Sequence, residues 1–383
     1  MNIAILIQEL EGGGAERVAS LIGNYYIEQG HNVYYFISKN SKKCVYEVKG
    51  KIIRTEIVAN QNRVMALFEA ASIMRKYKKS YKIDVSISFM EEFNYINILS
   101  KGRDTIITRI CTILSQREEL RKTCFLYNKN LIRLFYNHAD KVIVMTDYAK
   151  NEMEHLYGIK RKKLVKIPNP ISELKMQENT AEWIYGPNTV ICVGRLENVK
   201  QHHIAIRAFS TVIQKIPDAQ MIILGRGPNK SKLNSLIKNL HLENHVFLLG
   251  FQKDISYYLQ NAKVFLMTSY TEGFPNSMVE AMSTGLSVIS IDSPGAPREI
   301  LKAARNSTTS IQYGAYGVIT PYIKNHYMAK EPITHEEQVL GQAITEMLVN
   351  DTLREKYAKA ALKRAQMYHT EKVMAIWNKI INT

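Results

Sequence analysis

The chain has 383 residues, 46% of them hydrophobic and 22% charged, which suits two folded domains with ample cores and excludes a disordered or low-complexity polymer. Its net charge of +16 is uneven: residues 1–170 hold 28 Lys and Arg against 17 Asp and Glu, a net +11, so the first half carries the basic surface. No stretch reaches the roughly 18 uninterrupted apolar residues of a membrane span, and the amino terminus reads as a strand with a glycine loop rather than a signal peptide, so a cytoplasmic location is expected.

In chain order, apolar runs predict strands at residues 2–7, 32–37, 84–89, 105–110 and 141–145, with helices after several of them. Gly12-Gly13-Gly14-Ala15-Glu16-Arg17 follows the first strand. Its spacing is not G-x-G-x-x-G, and the second strand ends Ile37-Ser38-Lys39 with no acid, which disfavours a nicotinamide-dependent oxidoreductase. A loop whose backbone approaches phosphate or acceptor hydroxyls is the better reading, with Glu16 and Arg17 as helix-entry charges. Residues 63–82 place Val64, Leu67, Phe68, Ala71, Ile73 and Met74 at helical spacing, a core face, and end in Arg75-Lys76-Tyr77-Lys78-Lys79, a cationic terminus whose exposed side is a candidate for anionic lipid. Arg117, Arg121, Lys122, Lys129 and Arg133 beside Phe125, Leu126, Leu134 and Phe135 form a second basic stretch, and residues 160–163 a third. Charge alone favours nucleic acid, and neither a helix-turn-helix signature nor aromatics on a basic sheet face accompany it. Cys44, Cys111, Cys124 and Cys192 have neither disulfide nor metal spacing, as in a reducing compartment.

Ile167-Pro168-Asn169-Pro170-Ile171 reads as an interdomain linker, dividing domains at 168/169. Beyond it, strands are expected at 189–193, 220–224, 245–249, 264–267 and 286–291, with helices beginning near Lys200, Asn229, Asp254 and Ser277. This alternation predicts a parallel, doubly wound sheet in each domain. Residues 301–335 are poorly patterned, with 306–310 and 314–317 reading as loops, and 351–383 is helical by pattern.

The richest segment is Glu272-Gly273-Phe274-Pro275-Asn276-Ser277-Met278-Val279-Glu280, which puts two glutamates on either side of a strand-to-helix junction. Open α/β sheets bind ligands at such junctions, and the first helical turn offers free N–H groups to an anion. Carboxylates repel phosphate, so the pair is suited to hydroxyl groups, and a sugar attached to a diphosphate supplies both. For Glu280 a capping box with Ser277 is the competing explanation. Glu272 has no basic partner nearby in the sequence. Arg195 and Lys200, in Gly194-Arg195-Leu196-Glu197-Asn198-Val199-Lys200, are either solvated surface charges or cations that stabilise a departing diphosphate. Arg226, in Gly225-Arg226-Gly227-Pro228, and Phe251, after Gly250, also lie at strand ends, and Phe251 is either core or ligand contact. His202 and His203 point to different faces and make a poor metal pair, and no other cluster implies a metal.

Together these segments resemble the retaining glycosyltransferases of sequence family four, over nearly the whole chain. The resemblance implies the GT-B fold: two facing Rossmann-like domains, residues 1–168 for the acceptor and 169–365 for the nucleotide sugar, with a cleft between them. A helix at about 366–383 would cross back onto the first. It implies that Glu272 contacts the donor sugar, Glu280 the ribose, Arg195 and Lys200 the diphosphate, and that Arg226 and Phe251 lie at the base. Gly13, Gly14, Gly273, Phe274, Pro275, Asn276 and Ser277 complete the donor site, with Glu272, Arg195 and Lys200 catalytic and no cofactor or metal. The implied activity moves a hexose or N-acetylhexosamine from a nucleotide-diphosphate sugar, UDP rather than GDP, to a glycan or polyprenyl-diphosphate-linked acceptor. Surface polysaccharide synthesis at the inner face of an anionic membrane is the implied setting. Where many relatives carry a histidine, this chain reads Thr108-Arg109-Ile110-Cys111-Thr112, so Arg109 either replaces its contacts or is structural.

Overall fold

Two seven-stranded sheets account for the alternating pattern, each at the centre of its own compact unit: residues 1–172 with 369–383, and residues 173–368. The computed structural model describes residues 1–38, 46–58, 64–117, 124–172, 174, 186–304, 309–324 and 331–382. Lys39, Cys44, Arg63, Arg121, Lys122 and Asn306 lie outside the described residues.

The first unit runs β1 (Asn2–Leu6), α1 (Gly14–Glu28), β2 (Asn32–Ile37), β3 (Lys51–Arg54), α2 (Val64–Ser80), β4 (Val85–Phe89), α3 (Glu91–Leu99), β5 (Thr105–Arg109), α4 (Lys129–Tyr136), β6 (Lys141–Val144), α5 (Asp147–Asn151) and β7 (Leu164–Lys166). Its strand order is β3-β2-β1-β4-β5-β6-β7 and every pairing is parallel. All five residues of β4 are buried, as a central strand covered on both faces requires. The short strands β3 and β7 escaped the sequence pattern because three or four residues leave no periodicity to read.

Helix α2 departs from its expected faces. Val64 and Phe68, assigned to the core, are 52% and 51% exposed, and the buried stripe is Leu67, Ala70, Ala71, Met74 and Lys78. Lys78 is therefore not part of a solvated cationic end. Its ammonium lies 2.9 Å from Asp104 and donates to Asn97 Oδ1 at 2.6 Å, and burial pushes its pKa down to about 8. The stretch 351–383 is helical, as its pattern indicates, in two pieces. It breaks at His369, whose extended backbone bridges Ile171, and resumes as a C-terminal helix, Thr370–Ile381. That helix buries Val373, Met374 and Trp377 in the cluster that contains Ile3 and Ile5 of β1.

The second unit runs β8 (Thr189–Val193), α6 (His202–Ile213), β9 (Gln220–Leu224), α7 (Lys230–Asn239), β10 (Val246–Gly250), α8 (Ser256–Asn261), β11 (Val264–Met267), α9 (Asn276–Ser283), β12 (Ser287–Ile291), α10 (Pro297–Leu301), β13 (Gln312–Tyr313), β14 (Val318–Thr320), α11 (His335–Val349) and α12 (Asp351–Ala365). The order is β10-β9-β8-β11-β12-β14-β13, parallel except for the β13–β14 pair. Two strands thus arise in the poorly patterned segment. No described helix is long and apolar enough to cross a membrane.

Candidate active site

In the second sheet the chain order reverses between β8 and β11, which pair although β9 and β10 separate them in sequence. In a doubly wound sheet this reversal opens a crevice at the carboxyl ends of the strands. The loop after β8 carries Arg195 and Lys200, and the loop after β11 carries Glu272, Gly273 and Phe274.

Across this reversal Lys200 Nζ sits 2.6 Å from Glu272 Oε1, with the two side chains 23% and 10% exposed. The basic partner of Glu272 is thus 72 residues away. The lysine reaches it by laying its stem over Gly194, where a Cβ would meet Lys200 Cδ at 3.4 Å. Both backbones are fixed. Thr268 Oγ1 donates to the Lys200 carbonyl at 3.2 Å and the Tyr270 N–H to that of Val199 at 2.7 Å. The Glu272 N–H donates to Pro294 O at 3.2 Å, and its carbonyl accepts from the Ala296 N–H at 3.1 Å. The ion pair therefore stands on a rigid frame rather than on two free loops.

Arg195 is more open, 64% exposed, and pairs with Glu197 at 3.1 Å. The neighbouring loops close on it from one side. Gly225 has φ +152° and lies so near that a Cβ would stand 1.9 Å from Gly194 O, and the Leu196 N–H donates to Arg226 O at 3.0 Å. The Arg226 guanidinium lies 5.2 Å from the centre of the Phe251 ring, and Phe251 is 45% exposed, which removes the core reading of that residue. The ends of β8, β9 and β10 thus present two guanidiniums and an aromatic face on one surface.

The capping box does not form. Pro275 holds the N-cap position of α9, with no side-chain cap, and Ser277 Oγ donates instead to Val193 O at 3.1 Å, tying the helix start to the end of β8. With Asn276 as the first helical residue, Glu280 falls in the second turn rather than the first, and is buried. Gly273, Asn276 and Ser277 are half-buried. Phe274 and Pro275 are buried, with the Phe274 ring 5.3 Å from that of Tyr368.

In the first unit Gly13 caps α1 and Gly14 opens it, and the Glu16 carboxylate folds back so closely that a Cβ on Gly13 would lie 2.1 Å from it. An internal carboxylate therefore already stands at this helix start. Arg109 is buried, donates to Asn169 of the Pro-Asn-Pro segment and lies over the Phe89 ring. It anchors that segment to β5, a structural role.

The profile described as "Glycosyl transferases group 1" matches residues 177–364, and that described as "Glycosyltransferase Family 4" matches residues 12–173. An uncharacterised glycosyltransferase of Methanocaldococcus jannaschii is 35% identical over 275 residues, 67% of each chain. The chain belongs to the family 4 glycosyltransferases. A second relative, 26% identical over 97% of each chain, is the N-acetylgalactosamine-N,N'-diacetylbacillosaminyl-diphospho-undecaprenol 4-alpha-N-acetylgalactosaminyltransferase of Campylobacter jejuni. Among solved structures, the pneumococcal O-GlcNAc transferase GtfA in complex with UDP and GlcNAc matches with a TM-score of 0.77 at 13% identity, covering 100% of this chain and 98% of that one. That likeness establishes the fold, GT-B.

Sequence reasoning missed the braces of this candidate site. The Thr268 hydroxyl holds the Lys200 carbonyl, Pro294 and Ala296 hold the Glu272 backbone, and the Pro/Gly-rich string Ser293-Pro294-Gly295-Ala296-Pro297 after β12 is the available signal. His202 and His203, dismissed as a metal pair, are both buried, and burial drives both pKa values down to about 4, with Lys200 adding to the effect on His202. Because the folded state refuses protons that the unfolded chain accepts below about 6.5, stability falls as pH drops from there toward 4. The expected loss is about 2 kcal/mol per histidine by pH 5. Urea midpoints at pH 7 and pH 5 measure it, and the His202→Gln/His203→Gln double variant should show a much flatter pH dependence.

Proposed function

We propose that this enzyme transfers a hexose or N-acetylhexosamine, with retention of anomeric configuration, from a nucleotide-diphosphate sugar to a glycan or polyprenyl-diphosphate-linked acceptor in surface polysaccharide synthesis. The observation that carries the reading is the Lys200–Glu272 pair held across the strand reversal, next to Arg195 and the start of α9. Cations and free helix N–H groups suit a diphosphate, while buried carboxylates suit sugar and ribose hydroxyls. UDP is favoured over GDP because GtfA was solved with UDP and GlcNAc. The diphosphate-undecaprenol in the name of the Campylobacter relative supports a lipid-linked acceptor.

In this mechanism the acceptor hydroxyl attacks the anomeric carbon on the face that the diphosphate leaves. The bond from carbon to the diphosphate oxygen breaks through an oxocarbenium-like state, the new bond to the acceptor oxygen forms, and the departing phosphate takes the hydroxyl proton. Arg195 and Lys200 stabilise the growing negative charge more than the ground state. Glu272 orients the reacting sugar. A screen of UDP- and GDP-sugars scored by nucleoside diphosphate release tests the reading, and no release with any donor overturns it.

Transfer should proceed without a divalent metal, since the two cations take its role. Treatment with EDTA is expected to leave turnover within about twofold, and a strict need for manganese or magnesium contradicts this assignment. The first unit should also meet anionic membranes, through the exposed Val64, Met65 and Phe68 at the start of α2 and Arg75, Lys76 and Lys79 further along the same helix. Binding to anionic liposomes should be strong at low ionic strength and weaken steeply with salt. Absence of co-sedimentation at low salt removes the membrane from the proposal and leaves the enzyme.

A further inference from the structure

The sheet of the first unit has its own order reversal, between β1 and β4, and the residues that follow β4 are built unlike an ordinary strand end. Met90 is held at φ 69° and ψ 155°, a backbone region that is essentially reserved for glycine. Such strain persists where the surroundings impose it, and here it sets the position of Glu91, the first residue of α3. Glu91 is only 2% exposed. Its Oε2 accepts from Tyr127 at 3.2 Å and the carboxyl lies at its own backbone N–H, but its Oε1 meets no partner at hydrogen-bond geometry.

The same region concentrates other unfilled polar atoms. Thr108 Oγ1 and Arg109 Nε at the end of β5, the strand beside β4, Thr112 Oγ1 just after it and Arg117 Nε eight residues beyond are buried and without partners, Thr108 and Arg109 on opposite faces of the sheet. Arg117 lies close enough to act electrostatically on the Glu91 carboxyl, and Cys111 senses Glu91 and lies at the Met90 backbone. Cys111, Thr112 and Arg117 are themselves half-buried, so parts of these side chains reach the surface although the unfilled atoms lie beneath it. Buried donors and acceptors normally find partners, and a concentration of unfilled ones needs an explanation. A carboxylate with a guanidinium close by matches vicinal ring hydroxyls, each of which donates one hydrogen bond and accepts others.

We infer that Glu91, Thr112 and Arg117 form a binding site for a pyranose ring of the acceptor, with Glu91 accepting from one ring hydroxyl and Arg117 donating to its neighbour. The inference rests on the glycosyltransferase reading above and assigns that reaction's acceptor to named residues of the first unit. Burial, which pushes the Glu91 carboxyl above the usual carboxylate range, adds a cost that an idle side chain would not be expected to carry.

The probes are farnesyl-diphosphate-linked N-acetylglucosamine, N-acetylgalactosamine and glucose, offered with UDP-sugars to the full-length protein and to Glu91→Gln and Glu91→Met. The expected result is a rise of tenfold or more in the KM for the probe that the unaltered protein uses, with UDP affinity by calorimetry unchanged in both variants. Glu91→Gln should melt close to the unaltered protein, because its amide oxygen can still accept from Tyr127, whereas Glu91→Met also strands the Tyr127 hydroxyl and should melt somewhat lower. Unchanged probe KM in Glu91→Met overturns the site, as does a large drop in melting temperature in both variants, which returns Glu91 to a structural bond with Tyr127. An unaltered protein that binds UDP yet transfers to none of the three probes also overturns it while leaving the donor reading intact. Failure to bind UDP at all is the separate failure of that reading.

Discussion

Glu272→Ala is expected to lower transfer turnover by about 100-fold or more, the scale of removing one preorganised contact to the reacting centre, with little change in melting temperature. The geometry sharpens this expectation. Glu272 holds Lys200 at 2.6 Å, so truncating it releases an ammonium that is then fully available to phosphate. UDP affinity should therefore be unchanged or tighter while turnover falls. A merely structural ion pair predicts the opposite pattern: Glu272→Ala and Lys200→Ala would lower stability by similar amounts, and turnover would follow only the fraction folded. Steady-state kinetics with calorimetric titration of UDP separate the two, and near-normal turnover in Glu272→Ala removes the main support for the proposed mechanism.

The parts of this site that were legible in the sequence are those that the strand pattern places. Arg195, Lys200, Arg226, Phe251 and Glu272 could be put at strand ends because runs such as Thr189–Val193 and Val264–Met267 are short, apolar and bounded by glycine or charge. What could not be read was which loops are neighbours. The pairing of β11 with β8 brings Lys200 onto Glu272, and no local feature of either segment announces it. Local signals also misled. Ser277 and Glu280 have the spacing of a capping box, but Pro275 takes the cap position and Ser277 bonds to β8, whereas the reciprocal box that does form is Thr334 with Glu337, in a stretch that read as irregular. Periodicity placed α2 but not its faces, since Val64 and Phe68 precede the part of the helix that the sheet covers. Lys78 looked like surface charge because its buried partner, Asp104, lies beyond the next strand and helix.

With the cap removed as an explanation, the burial of Glu280 in the second turn of α9 calls for another. If it holds the ribose of the donor, Glu280→Gln should weaken UDP binding by about 1 to 3 kcal/mol, as for a hydrogen bond to a charged group, because the amide cannot accept from both hydroxyls as a carboxylate does. Its melting temperature should stay close to that of the unaltered protein, since shape is conserved and no helix cap is lost. The affinity of a nucleoside diphosphate for the second unit is the central claim, and isothermal titration of UDP into the unaltered protein and Glu280→Gln measures it most directly. The account predicts saturable one-to-one binding that falls roughly 5- to 150-fold in the variant. Absence of heat in the unaltered protein, or equal affinity in the two with a lowered melting temperature in Glu280→Gln, would contradict it.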